Sequence, residues 1–164
     1  MSPASRPHPT AGPPPGGASP DPSRLAVWTD FLLAHSRLMK LLEEELRLAH
    51  AMTMAEYDVL HHLAQAPGGQ LRMSELAGAL LYTTSGITRL LDRMTSAGLV
   101  RRETSSTDRR VVHADITAEG RTRFREAAHT HLAGIQKHFG SALGDEEVAP
   151  VAGVMHRLAD PAQH

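Results

Sequence analysis

The sequence predicts a mainly α-helical fold with one small β-hairpin. Three observations carry that expectation. Apolar residues recur in steps of three and four over long stretches towards both ends of the chain, the spacing that lines one face of a helix. Two shorter helical stretches lie between them, separated only by Tyr82-Thr83-Thr84. Beyond Gly98 the period shortens to that of paired strands, Leu99–Thr104 and Val111–Ile116, around the polar run Ser105-Ser106-Thr107-Asp108-Arg109.

Each element has a local cause. Residues 1–23 hold eight of the eleven prolines and no Leu, Ile, Val or aromatic side chain, so a disordered tail is expected there: too little apolar area offsets the ordering entropy. From Arg24 a helix is expected, striped by Leu25, Trp28, Leu32, His35, Met39, Leu42, Leu46 and Ala49. A one-sided stripe of that length needs a large partner surface. Thr53-Met54-Ala55-Glu56 has capping-box spacing and opens a second helix, which Pro67-Gly68-Gly69 stops. Ser74 begins a short helix with Leu76, Ala77 and Leu80 inward. The next runs from about Ser85 to Ala97, and Gly98 follows as the residue that turns the chain out of it. Thr117 is expected to cap a long helix to about Leu143, and Asp145 a final one through Val148, Val151, Val154, Met155 and Leu158.

Composition removes several functions. At 164 residues the chain suits one domain with appendages. With no cysteine, disulfide scaffolds, thiolate zinc modules, thiol catalysis and thiol redox sensing are excluded. Uninterrupted apolar stretches run to only a few residues, far short of the roughly 20 that span a bilayer. With no apolar signal region at the N-terminus either, the expectation is a soluble cytoplasmic protein without a membrane partner. No nucleophile elbow, P-loop, His-Glu-x-x-His or dinucleotide fingerprint occurs, so no enzyme and no cofactor are expected. The net charge of -1 conceals an asymmetry. Between Thr83 and Arg125 nine arginines face five acids, a surplus of +4, and the remainder carries -5.

Two short helices joined by a tight turn, then a hairpin, form a winged helix-turn-helix pattern. In the second helix Ile87, Leu90, Leu91 and Met94 mark the buried face, which leaves Ser85, Thr88, Arg89, Asp92, Arg93 and Ser96 towards the other. Short hydroxyls approach phosphates and bases closely, and an arginine forks onto guanine O6 and N7 in the major groove. The tip Asp108-Arg109-Arg110 suits a narrow minor groove, and Arg101 and Arg102 at the hairpin base are candidates for phosphate contacts.

The runs Arg72-Met-Ser-Glu-Leu-Ala77, Thr84-Ser-Gly-Ile-Thr-Arg-Leu-Leu-Asp-Arg-Met94, Gly98-Leu-Val-Arg-Arg-Glu103, Asp108-Arg-Arg110 and Ile116-Thr-Ala-Glu-Gly120 resemble the MarR family of bacterial winged-helix transcription regulators, over roughly residues 25–160. The resemblance implies a homodimer on a pseudo-palindromic double-stranded DNA operator, usually a repressor released by a small molecule. It implies an organisation of tail (1–23), N-terminal dimerisation helix (24–52), DNA-binding domain (53–117) and C-terminal dimerisation helices (118–160). Carried over by position, Thr84, Ser85, Thr88, Arg89 and Arg93 match the major-groove and phosphate set, and Arg110 the minor-groove arginine with Asp108 positioning the tip. Family members commonly bind ligand in the cleft between the dimer helices and the winged domain. Candidates there for an aromatic or phenolic anion are Trp28, His35, Met39, Asp58, His61 and Arg72, since Trp stacks on a ring and Arg or His pairs with a carboxylate. The 11 histidines raise a metal-responsive variant, but no His-x-x-x-His pair occurs and no metal ligand is assigned. A helical protein-interaction module is the alternative from another class; it accounts for the long helices and Glu43-Glu44-Glu45 but not for the basic hairpin.

Overall fold

The computed structural model describes residues 21–104 and 111–160. They are mostly helical, with one three-stranded antiparallel sheet. The elements are α1 (Pro22–His50), α2 (Met54–Gln65), β1 (Gln70–Arg72), α3 (Met73–Ala79), α4 (Thr84–Ser96), β2 (Val100–Thr104), β3 (Val112–Ile116), α5 (Ala118–His138) and α6 (Asp145–Ala159). The chain divides into two compact units, Met1–His35 and Ser36–His164.

In the first unit, the Asp21 side chain accepts from Ser23 N at 3.0 Å and starts α1, with Pro22 at the first helical position where its missing N–H costs nothing. Leu25, Trp28, Phe31 and Leu32 are all exposed, and Trp28 stacks on Phe31 with ring centroids 5.9 Å apart.

In the second unit, the capping box at Thr53 forms as expected: Thr53 Oγ1 accepts from Glu56 N at 3.2 Å, and Glu56 Oε2 accepts from Thr53 N at 2.9 Å. One core joins α2, α3, α4 and the sheet through Leu60, Leu63, Leu76, Ile87, Leu91, Met94 and Val100, and draws in Leu46 of α1 and Ala127 of α5. α1 also meets α5 where Glu45 accepts from Lys137 Nζ at 3.0 Å and from His138 Nε2 at 2.8 Å. Those hydrogen bonds, His138 foremost, hold the Glu45 carboxyl below its ordinary pKa.

Several features differ from expectation, beginning with α1, which starts at Pro22 rather than Arg24, and α3, which starts at Met73 rather than Ser74. α5 stops at His138, and Gly140–Ala142 forms a 3-10 turn before Leu143, so the helix does not reach that residue. α6 is capped by Gly144 rather than Asp145: Glu147 reaches back to accept from Gly144 N at 2.8 Å, which leaves Asp145 as the first helical residue. β1 is a strand not seen in the sequence. It pairs with β3 at Gln70↔Asp115, Leu71↔Ala114 and Arg72↔His113, so β3 is the centre of the sheet and the wing is anchored to the helical core.

Candidate nucleic-acid interface

α4 is the element that carries the candidate site. Thr83 caps it, accepting from Gly86 N at 3.1 Å, and Ser85 Oγ lies 3.2 Å from the same hydroxyl. Ile87, Leu90, Leu91 and Met94 are buried, as their spacing predicts. The opposite face presents Ser85, Arg89, Asp92, Arg93 and Ser96 to solvent, with Thr88 half-buried at its edge. Arg89 and Arg93, four residues apart, therefore stand one above the other on the same side of the helix. Thr84 opens α4; its side chain, together with Asp108, Arg109 and Arg110, lies outside the described residues.

The two arginines of β2 behave differently. Arg101 is exposed, with only a loose 3.5 Å approach to Glu103, so its charge is available to a ligand. Arg102 does not join it on the surface as expected. Its guanidinium turns inward, 27% exposed, and places Nη1 at 2.8 Å from Asp92 Oδ1 while Nη2 donates to the Thr88 carbonyl at 2.7 Å. The alternation of side chains along β2 sends these neighbours to opposite faces. Arg102 is thus a clasp between wing and helix rather than a phosphate contact. Arg121 and Arg123, part of the local basic surplus, are also engaged elsewhere, donating to the carbonyls of Gly68 and His50 respectively. Among the described residues, the arginines of that surplus left on the surface are Arg89, Arg93, Arg101 and Arg125, the last with only an exposed 3.2 Å bond to the Thr122 hydroxyl.

The loop glycines explain how the wing is seated. Gly98 takes φ +74 after α4, and the Thr117 hydroxyl donates to its carbonyl at 2.7 Å. Three residues on from Thr117, Gly120 packs so tightly on the residue before β2 that a Cβ there would fall on the Leu99 carbonyl oxygen.

The model of the MarR family matches residues 50–111, from the end of α1 through the wing. The HTH-type transcriptional repressor MdtR of Bacillus subtilis (strain 168) is 32% identical over 95 residues, 58% of this chain and 61% of that protein. Among solved structures, AbsC, a MarR family transcriptional regulator from Streptomyces coelicolor, superposes with a TM-score of 0.80 at 29% identity, over 87% of this chain and 96% of its own. Sco3205 from the same organism, a MarR family regulator solved in complex with DNA, gives 0.83 at 26% identity over 92% and 94%. Over residues 50–111 in sequence, and in its fold, the chain is similar to the MarR family. Its fold is accordingly the winged helix, and the relatives in this family are transcriptional regulators, not enzymes.

Of the six expected ligand residues, Trp28 and His35 lie in the first unit and Met39, Asp58, His61 and Arg72 in the second. Trp28 (55% exposed) and His35 belong to the first unit, where Phe31 lies between them with centroids 5.9 and 6.2 Å away. Met39 is exposed on α1. Arg72 lines a cavity of about 460 Å³ with Met73, Ser74, Thr88, Arg102, Val111 and Val112, because β1 pairing carries it to the wing. Asp58 and His61 sit instead in a ring-rich cluster between α2 and α5. There the Tyr57 ring lies 4.5 Å from His131 and 5.5 Å from Phe124, and His61 is 5.8 Å from Phe124. His62 Nδ1 donates to the Asp58 carbonyl at 2.9 Å. Among the described residues, no three His, Asp or Glu side chains are arranged to hold a metal, and no helix is long and apolar enough to cross a membrane.

Burial acts on both charged forms in that cluster. It raises the Asp58 pKa, against the pull of His62, His131 and His61, and it lowers that of His131, with Asp58 opposing and His61 assisting. The Nδ1 atom of His131 is buried with no partner among the described residues, in keeping with a neutral ring. Since the folded His131 resists a proton that the unfolded chain accepts near pH 6.5, its contribution is intact above about that pH and is lost as pH falls through the lowered folded value. Asp58 runs the other way: its neutral form favours the fold in acid, and that contribution is lost as pH rises through its raised pKa. His131→Phe keeps the ring against Tyr57 and removes the titration. It is expected to lessen the drop in melting temperature between about pH 7.5 and 5.5, measured by thermal scans at fixed protein concentration; an unchanged drop would place the acid-sensitive group elsewhere.

Proposed function

We propose that the chain is a transcription regulator that binds duplex DNA sequence-specifically as a homodimer, with α4 in the major groove and the wing reaching the minor groove. One observation carries the reading: Ser85, Thr88, Arg89 and Arg93 line the face of α4 opposite four buried apolar residues, beside a wing that Arg102 ties to that helix. Such a helix supplies hydroxyls for phosphates and forked donors for base edges. Thr84, Arg101, Asp108, Arg109 and Arg110 complete the proposed contact set, the last three at the wing tip.

Self-association is supported by apolar surface. Leu25, Trp28, Phe31 and Leu32 on α1, and Val148, Val154, Met155 and Leu158 on α6, are all exposed, more than a solitary chain normally presents. Residues 24–52 and 118–160 are therefore the proposed dimerisation helices, and 53–117 the DNA-binding domain. Repression on a pseudo-palindromic operator, with release by a small aromatic anion, is the proposed mode of action; MdtR's designation as a repressor supports its first half. The aromatic pair Trp28 and Phe31 and the Asp58–His61 cluster are the groups that suit such an effector.

Anisotropy titrations on the chain's own upstream DNA test the reading. Affinity is expected to fall linearly in log–log form as salt rises, and Arg110→Ala to lower that slope by about one. A salt-independent affinity, or none, would favour the protein-interaction module instead.

A further inference from the structure

We propose that Leu81, in the turn between α3 and α4, is a specificity-determining DNA contact that packs against thymine methyl groups in the major groove; the proposal rests on the DNA-binding reading above.

The backbone supplies the first argument. α3 and α4 end in the same hydrogen-bond pattern. After α3, Leu81 N donates to Gly78 O at 3.2 Å and Tyr82 N to Ala77 O at 2.9 Å; after α4, Gly98 N donates to Thr95 O at 3.0 Å and Leu99 N to Met94 O at 2.9 Å. Both are the paired bonds of a Schellman ending, which needs one residue in the left-handed region. At α4 that residue is Gly98, φ +74, and at α3 it is Leu81, φ +54. Glycine adopts this conformation without steric cost, whereas leucine brings its Cβ against the carbonyl oxygen.

Packing does not offset that cost. Leu81 is 94% exposed, while Leu76 and Ala77 of the preceding helix are buried in the core. The fold therefore gains nothing from the side chain that a glycine would not give. A strained, solvent-facing leucine points to a role outside the fold.

Position identifies the role. Leu81 precedes the α4 cap, Thr83, by two residues, and the Tyr82 ring lies over the first turn of α4, where a Cβ on Gly86 would be 3.3 Å from Tyr82 Cδ1. The leucine thus projects beside the end of the helix that carries Ser85 and Arg89. In helix-turn-helix docking that end approaches the base edges. An apolar group has one distinctive target there, the thymine C5 methyl. Leucine would read A·T pairs next to positions where the arginines of α4 read guanine.

The test uses the full-length protein and a duplex selected by it from a random-sequence pool, prepared with dT and with dU, which lacks the methyl. Leu81→Gly and Leu81→Asn both tolerate the left-handed conformation and remove the apolar contact. Leu81→Gly is expected to raise the melting temperature by a few degrees through relief of strain. Both variants are expected to bind the selected dT duplex about five- to tenfold more weakly, with random-sequence duplex unaffected, given about fourfold per methylene-sized contact. The dU duplex should bind wild-type protein about fourfold more weakly per methyl touched, and the variants with little change. Equal affinity of wild-type and Leu81→Gly for the selected duplex, or one dU penalty common to all three proteins, would overturn the proposal while leaving DNA binding standing. Wild-type protein that binds no duplex would overturn both readings.

Discussion

Gly120→Ala is expected to cost about 3 kcal/mol of stability, at the upper end for overpacking by one methyl group. Gly120 is the third residue of α5, is buried, and donates its N–H to Thr117 Oγ1 at 2.9 Å. An added Cβ would meet the Leu99 carbonyl oxygen and lie 3.0 Å from Ile116 Cγ1. Neither neighbour yields easily. The Leu99 carbonyl accepts from the Thr117 backbone N–H at 3.1 Å, with the Thr117 hydroxyl oxygen equally near, and Ile116 belongs to the core. Moving the start of α5 aside would break the bonds that hold it. Gly78 is the control: it lies inside α3 with nothing within 4 Å of a Cβ, so Gly78→Ala is expected to stabilise by about 0.5–1 kcal/mol. Urea unfolding of both at one protein concentration decides the matter, and a Gly120→Ala loss under about 0.5 kcal/mol, within the range of ordinary surface changes, would mean that the helix start slides freely.

Arg89→Ala is expected to weaken binding to selected DNA by about 1–3 kcal/mol, the discrimination of one forked arginine–guanine contact, and to cost much less on random sequence. The side chain is exposed on the outward face of α4. Arg102 makes the contrast, since its guanidinium is already engaged by Asp92 and the Thr88 carbonyl. Competition titrations with the two DNAs measure the difference. Equal losses on both would make Arg89 a phosphate contact.

Much of this architecture was legible because its signals are local. Capping at Thr53 and Thr117, the glycine after α4 and the buried quartet Ile87, Leu90, Leu91 and Met94 all follow from spacings of four residues or fewer, or from helical period. What escaped depends on partners distant in the chain. β1 is three residues long and has no periodicity of its own; it is a strand because β3, more than 40 positions later, pairs with it. That pairing also carries Arg72 to the cavity beside the wing. Arg101 and Arg102 are indistinguishable as letters, and only their alternation across the sheet, with Asp92 waiting on one side, makes one a free cation and the other a clasp. Charge counting failed in the same way at Arg121 and Arg123, whose donors close off backbone carbonyls. The left-handed leucine was invisible, since sequence alone suggests glycine for such a turn.

The knot of contacts at Thr117 and Gly120 ties Gly98 and Leu99, the residues that lead from α4 into β2, to the first turn of α5. α5 extends from there for 21 residues, a rod of about 30 Å. Its start is therefore held by the turn that ends the helix bearing Arg89 and Arg93, and its far end by the grip of Glu45 on Lys137 and His138.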